Sequence, residues 1–229
     1  MTEPRGTRLS HDERRAQLVR LGLDMLGERP YDQVSITALA RAAGISKGLL
    51  YHYFPTKSDF VVAVLRQSRD ELDLRMAPDP ALGPSERLDA SLEAFLTYVA
   101  GHATGYLAVA RARGGDDAAI RGVLEEGRRR RIATMVEFSA ALAGVPRAEI
   151  EGPALEAALE GWLSFCEGVV VRWLQDDGLQ QAQVQHLLRR VLLSALASLA
   201  AIEPAPAFAR LAEAAQRAAG DAAGLTAAP

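Results

Sequence analysis

Apolar positions recur along this chain at the three- and four-residue spacings of amphipathic helices. Leu18, Leu21, Gly22, Met25 and Leu26 share one face and predict a first helix from Ser10 that ends near Gly27 to Pro30, with Tyr31 packing back on the core. Ile36, Leu39, Ala40 and Ala43 fall at i, i+3, i+4 and i+7 and predict a second. A third is short: Leu50 and Phe54 lie four apart, and the residues around them are polar or aromatic. Phe60, Val61, Val64, Leu65 and Leu72 mark a fourth, which fades before the linker Pro78 to Pro84. Beyond it the helices lengthen and become more apolar. One runs from about Ser85 to Arg113, with a break near Thr104-Gly105, and one reaches about Ala143. Another spans Glu149 to Trp173, and the last strongly periodic one spans Gln181 to Ala201. The final ~25 residues, rich in Ala and Pro, predict a short helix at most and then a loose tail. Alanine and leucine dominate and β-branched residues are few, so the fold class is all-α.

The boundaries of the early helices carry chemical signals. Ser10 with Glu13, and Thr56 with Asp59, have capping-box spacing. Ser35 and Ser46 can cap the second and third helices, Gly44 can take the left-handed backbone of a tight turn between them, and Pro55 stops the third. Helix, glycine turn and short polar helix form the helix-turn-helix pattern, whose second helix enters a DNA major groove. An ordinary α-hairpin with a glycine turn has the same spacing. What sets the third helix apart is its front: Lys47, Tyr51, His52 and Tyr53 are donors or flat amphipathic rings suited to an anionic surface.

The net charge of −3 argues against nucleic acid until its distribution is seen. Residues 1–57 hold nine of the 26 basic side chains and six of the 29 acidic ones, so this module is +3 and the remainder −6. Only two of the basic residues are lysine, Lys47 and Lys57, and both lie in the proposed reader segment. The single Cys166 permits no intramolecular disulfide and suits a reducing cytoplasm. His11, His52, His102 and His186 are scattered and no CxxC or HExxH spacing exists, so neither metal nor cofactor is expected. The first ten residues are polar, and no run approaches the roughly 20 apolar residues of a membrane span, so neither a leader nor a membrane partner is expected.

The segment Gly-Ile-Ser-Lys-Gly-Leu-Leu-Tyr-His-Tyr-Phe-Pro-Thr-Lys, Gly44 to Lys57, resembles the DNA-binding domain of the TetR family of bacterial regulators over roughly Ser10 to Leu65. Two positions depart from the family pattern: Tyr53 stands where His is usual and Leu49 where a small residue is usual. The resemblance implies a flexible arm (1–9), a three-helix helix-turn-helix domain (10–57), a larger helical effector-binding and dimerisation domain (58–202, with 58–77 as connecting helix), and a short helix and tail (203–229). It implies a repressor that binds operator double-stranded DNA as a homodimer at the nucleoid and is released by a small-molecule effector. Lys47 and Gly48 match base-contacting positions, and His52 one that reads or packs on a base. Tyr51 and Tyr53 match phosphate-contacting positions, Ser35, Thr37 and Ser46 are placed to reach phosphate, Lys57 is a phosphate clamp, and Leu49 can meet thymine methyls.

In the larger domain, the helices from Leu155 and from Val184 are apolar on most sides, which suggests burial in a second copy through Leu159, Val170, Trp173, Leu188, Val191, Leu192 and Leu199. A purely intrachain core accounts for the same pattern. Tyr98, His102, Tyr106, Met135, Phe138, Trp162, Phe165 and Cys166 are candidates for the wall of an apolar effector pocket, though each also suits ordinary core. Arg128 to Arg131 point all round one helix and read as a solvated surface with Glu–Arg pairs. No paired acid and base and no activated nucleophile is visible, so no enzyme is expected. Two other classes stay open: a protein that coats DNA without regulating, and a helical carrier or enzyme without DNA affinity.

Overall fold

The computed structural model describes residues 10–28, 35–113, 115–176 and 178–221. The arm 1–9, Tyr31 and the chain beyond Asp221 lie outside them. Among the described residues there are ten α-helices and no strand: α1 (His11–Glu28), α2 (Ile36–Ala42), α3 (Lys47–Tyr53), α4 (Lys57–Met76), α5 (Pro84–Gly101), α6 (Ala103–Ala112), α7 (Ala118–Ala143), α8 (Pro153–Gln175), α9 (Gln181–Ser198) and α10 (Pro206–Asp221). They form two compact units. Unit 1 is the chain up to Glu71 together with His102–Leu124, and unit 2 is Leu72–Gly101 together with the chain from Glu125. The division falls inside α4 and α7.

Unit 1 is built around one apolar cluster. Leu18 and Val19 of α1, Ile36, Leu39 and Ala40 of α2, Leu50 of α3, Phe54, and Phe60, Val61 and Val64 of α4 all meet there, with Ile120 of α7. Each full burial of a Leu or Phe is worth roughly 1.5–3 kcal/mol, so a seven-residue α3, too short to be helical alone, is held by its back. Gly22 lets α1 lie close on α4: a Cβ there would meet Phe60 Cζ at 2.4 Å. The capping signals hold as well. The Ser10 amide donates to Glu13 Oε2 at 2.8 Å and the Glu13 amide to Ser10 Oγ at 3.2 Å, which lowers the Glu13 carboxyl below the usual range. Thr56 and Asp59 repeat the exchange at the start of α4.

Unit 2 packs α8 on α9, α9 on α5, and α10 on α9. The break after α5 comes at His102 rather than at Thr104-Gly105. The last helix is the larger departure. Where composition suggested a short helix at most, α10 runs for 16 residues. Its Ala207, Phe208, Leu211, Ala212, Ala215 and Ala218 are buried, because small side chains let it lie close against α9. The Arg189 side chain joins three helices: Nε donates to Asp89 Oδ1 at 2.6 Å, Nη2 to Ser85 Oγ at 2.7 Å and Nη1 to the Ala218 carbonyl at 2.8 Å.

That packing corrects the assignment of dimer contacts. Leu159, Val170 and Leu188 are 0% exposed, Leu192 is 1% and Leu199 2%, all within the protomer, so no second copy can bury them further. Only Val191 and Trp173 of the proposed set keep exposed surface. Arg128 also departs from expectation. Arg129 and Arg130 pair with Glu125 and Glu126 as a solvated helix surface does. Arg128 instead turns onto α8, to the Glu160 carbonyl (2.8 Å), Ser164 Oγ (2.7 Å) and Glu167 (3.3 Å).

Candidate nucleic-acid interface

The turn from α2 into α3 is fixed by backbone chemistry. Gly44 has φ +66°, a left-handed value that only glycine adopts without strain. It lets the Ile45 amide reach the Ala40 carbonyl (3.0 Å) and the Gly44 amide the Arg41 carbonyl (3.1 Å), a Schellman closure of α2. Two residues later Ser46 opens α3, its Oγ accepting from the Leu49 amide at 3.1 Å. Ser35 does the same for α2, from the Ala38 amide at 3.4 Å. A capping hydroxyl uses a lone pair, so both serines keep an O–H to donate outward.

The result is a helix with two unlike faces. Leu50 and Phe54 are 1% and 2% exposed. Lys47, Gly48, Leu49, Tyr51 and His52 are exposed, as are Ser35, Thr37 and Ser46 beside them. Lys47 Nζ lies 5.8 Å from the Tyr51 ring centroid. Gly48 has no neighbour that excludes a side chain: a Cβ there would meet only Ser46 Oγ, at 3.9 Å. A glycine inside a helix costs about 1 kcal/mol relative to alanine, and no side-chain clash among the described residues requires this one.

Tyr53 differs from the rest of the set. It is half-buried, packs on the unit's core, and stacks under His11 of α1 with ring centroids 4.7 Å apart. His11, which a linear reading passes over, is thereby brought beside His52, 6.2 Å between centroids. Arg15, also unassigned, lies 5.1 Å over the Phe54 ring. Only the crossing of α1 on α3 brings these residues to the reader helix, and no spacing within either segment signals it. Lys57 occupies the first turn of α4, half-buried, next to Ser58, whose Oγ donates to Asp117 Oδ1 at 3.0 Å. Asp117 also accepts the Ala119 and Ile120 amides, and these bonds hold its carboxyl below the usual range.

The eight pocket candidates divide between the units. His102 and Tyr106 fall in unit 1, while Tyr98, Met135, Phe138, Trp162, Phe165 and Cys166 fall in unit 2. Trp162 Nε1 donates to the Leu188 carbonyl at 2.9 Å, so its polar edge ties α8 to α9. Cys166 is buried, and burial pushes its thiol well above the usual range. Among the described residues no group of His, Cys, Asp and Glu could hold a metal, and no helix is long and apolar enough to cross a membrane.

Comparison with known proteins covers both units. Residues 18–64 match the family model of bacterial regulatory proteins of the tetR family, and residues 84–195 match the tetracyclin repressor-like C-terminal domain. Over 104 residues the chain is 35% identical to the HTH-type transcriptional activator FasR of Mycolicibacterium smegmatis, covering 44% of this chain and 48% of that protein. Over 80 residues it is 31% identical to the HTH-type transcriptional repressor KstR of Rhodococcus jostii, covering 35% and 38%. The matched segments thus span about half or less of these curated relatives, 48% and 38% of their lengths. A crystal structure of a TetR-family transcriptional regulator from Streptomyces coelicolor superposes with a TM-score of 0.76 at 27% identity, over 93% of this chain and 91% of that one. With a capped reader helix on a glycine turn, one family model over that module and a second over the helices that follow, the chain belongs to the TetR family of bacterial transcriptional regulators.

Proposed function

We propose that this protein is a sequence-specific regulator of transcription that binds operator double-stranded DNA as a homodimer. It acts in the cytoplasm, at the nucleoid, as a repressor that an apolar or amphipathic small molecule releases. The observation that carries this reading is the division of α3 into an anchored back and an exposed front of donors. Lys47 supplies a donor for guanine edges, Leu49 an apolar surface for thymine methyls, and Gly48 the close approach. Ser35, Thr37, Ser46, Tyr51 and Lys57 supply donors for phosphate. The curated relatives are named both as activator and as repressor. Repression is the simpler mode, because a bound dimer occludes a promoter without any further contact. Binding of labelled DNA from upstream of its own gene tests the reading. A preference of about 10³ or more over scrambled DNA of equal length is expected. Equal affinity for the two would make the protein a DNA-coating one.

For the dimer, support comes from the outer face of α8. Ala157, Gly161 and Gly168 share that face and are exposed, and among the described residues nothing beyond the local backbone of α8 lies within 4 Å of a Cβ built at either glycine. Small residues there suit the close approach of a second helix. Gly161→Trp should therefore yield monomer in sedimentation at micromolar concentration and lose operator affinity. A variant that remains dimeric moves the interface elsewhere. For the effector, unit 2 offers the half-buried Met135, Phe138 and Phe165 as apolar wall. An effector found by ligand-shift thermal screening should bind more weakly to the operator-bound protein, by the factor by which it weakens operator binding.

A further inference from the structure

His11 and His52 come from different helices and meet across one tyrosine ring. His11 stands in the first turn of α1, 4.7 Å from the Tyr53 centroid at a tilt of 31°. His52 stands in α3, 5.7 Å from the same ring and edge-on to it at 81°. The two imidazoles are 6.2 Å apart, nearly perpendicular at 85°, and both residues are exposed. His11 Nδ1 faces Asp12 Oδ1 at 3.4 Å, which leaves Nε2 as its outward donor. Tyr53 is half-buried on the core, so it fixes the separation of the two rings.

From this juxtaposition we infer that His11 and His52 form a clamp on one backbone phosphate of the operator, and that the clamp binds in its protonated form. The inference rests on the DNA-binding reading given above. It adds α1 to the DNA surface and assigns His52 to phosphate rather than to a base. Two N–H···O bonds of about 2.9 Å to two oxygens of one phosphate fit between rings at this distance. Imidazole is the side chain that changes charge between pH 5 and 8, so the phosphate and the proton bind together.

Other charged groups lie nearby on α1 to α4. On α1, Glu13 is held by the Ser10 amide, Arg14 by Gln17, and Arg15 lies over Phe54, while Asp12 faces His11 itself. On α3, Lys47 lies over Tyr51. Arg41 lies in the last turn of α2, and Lys57 and Asp59 in the first turn of α4. Lysine and arginine keep their charge through pH 5 to 8, and Asp59 is engaged with Thr56. Histidine is the side-chain type whose ordinary charge change falls in that range.

The test is operator affinity against pH, from 5.5 to 8, for the full-length protein and for His11→Gln, His52→Gln and the double variant. Glutamine keeps an N–H donor but takes up no proton. Affinity should fall as pH rises, by up to about 100-fold per pH unit where one proton is linked at each of two half-sites. Each single substitution should flatten that slope, and the double variant should bind with little pH dependence across the range. A double variant that retains the wild-type slope overturns the clamp and leaves the DNA-binding reading intact. A wild-type protein that prefers operator to scrambled DNA at no pH overturns the reading on which the clamp rests.

Discussion

Phe54→Ala should destabilise unit 1 by about 3–5 kcal/mol, the range for removing a fully buried phenylalanine. The ring ends α3, is 2% exposed, and meets Phe60 edge to face at 5.2 Å and 77°. Its loss leaves a cavity under the reader helix and removes the surface on which Arg15 lies. Tyr51, three residues earlier and 39% exposed, should behave oppositely. Tyr51→Ala should leave stability within roughly ±0.5 kcal/mol and weaken DNA binding. Urea unfolding of the two variants checks this. Equal stability losses would mean that α3 packs on both faces and has no front to offer.

The second large effect lies in unit 2. Arg189 keeps only 5% of its side chain in water, whereas its partner Asp89 keeps 43%. Asp89→Ala therefore strands a buried cation, and breaking such a pair costs 3–5 kcal/mol by general experience. About 3 kcal/mol is expected here, because Ser85 Oγ and the Ala218 carbonyl remain as acceptors. Adding Arg189→Met removes the stranded charge, so the double variant should recover more than about 1 kcal/mol over Asp89→Ala. The urea midpoints of the three proteins decide it. A double variant less stable than Asp89→Ala would show that Arg189 holds α5, α9 and α10 together without needing its counter-ion.

The helices of unit 1 are readable in the sequence because each boundary is decided locally. The Ser35, Ser46 and Thr56 hydroxyls accept amides three residues on, the Gly44 amide donates to a carbonyl three residues back, and the spacing states the bond. What the sequence does not state is which surface covers which. The apolar phases of α8 and α9 are plain, but periodicity cannot distinguish a second copy from α5 and α10 of the same chain. Leu159 and Leu188 look like interface in the sequence for that reason, and α10 looks shorter than it is because alanine marks a helix without marking a core face. The same limit applies at the reader. His52 is identifiable within α3, but its neighbour His11 is 41 positions away in sequence and 6.2 Å away in space.

The salt dependence of binding for two lysine variants probes the docking of α3 most directly. Lys47 opens the reader helix, and Lys57 lies in the first turn of α4, beside backbone N–H groups that have no helical partner. Lys57→Ala should weaken operator and random DNA alike and lower the salt slope by about 1 for each phosphate no longer neutralised, hence by about 2 for a dimer. Lys47→Ala should cost roughly 1–3 kcal/mol per half-site on operator and little on random DNA. If Lys57→Ala selectively removes operator preference while Lys47→Ala lowers both affinities equally, α3 does not lie in the groove with its first turn on the bases.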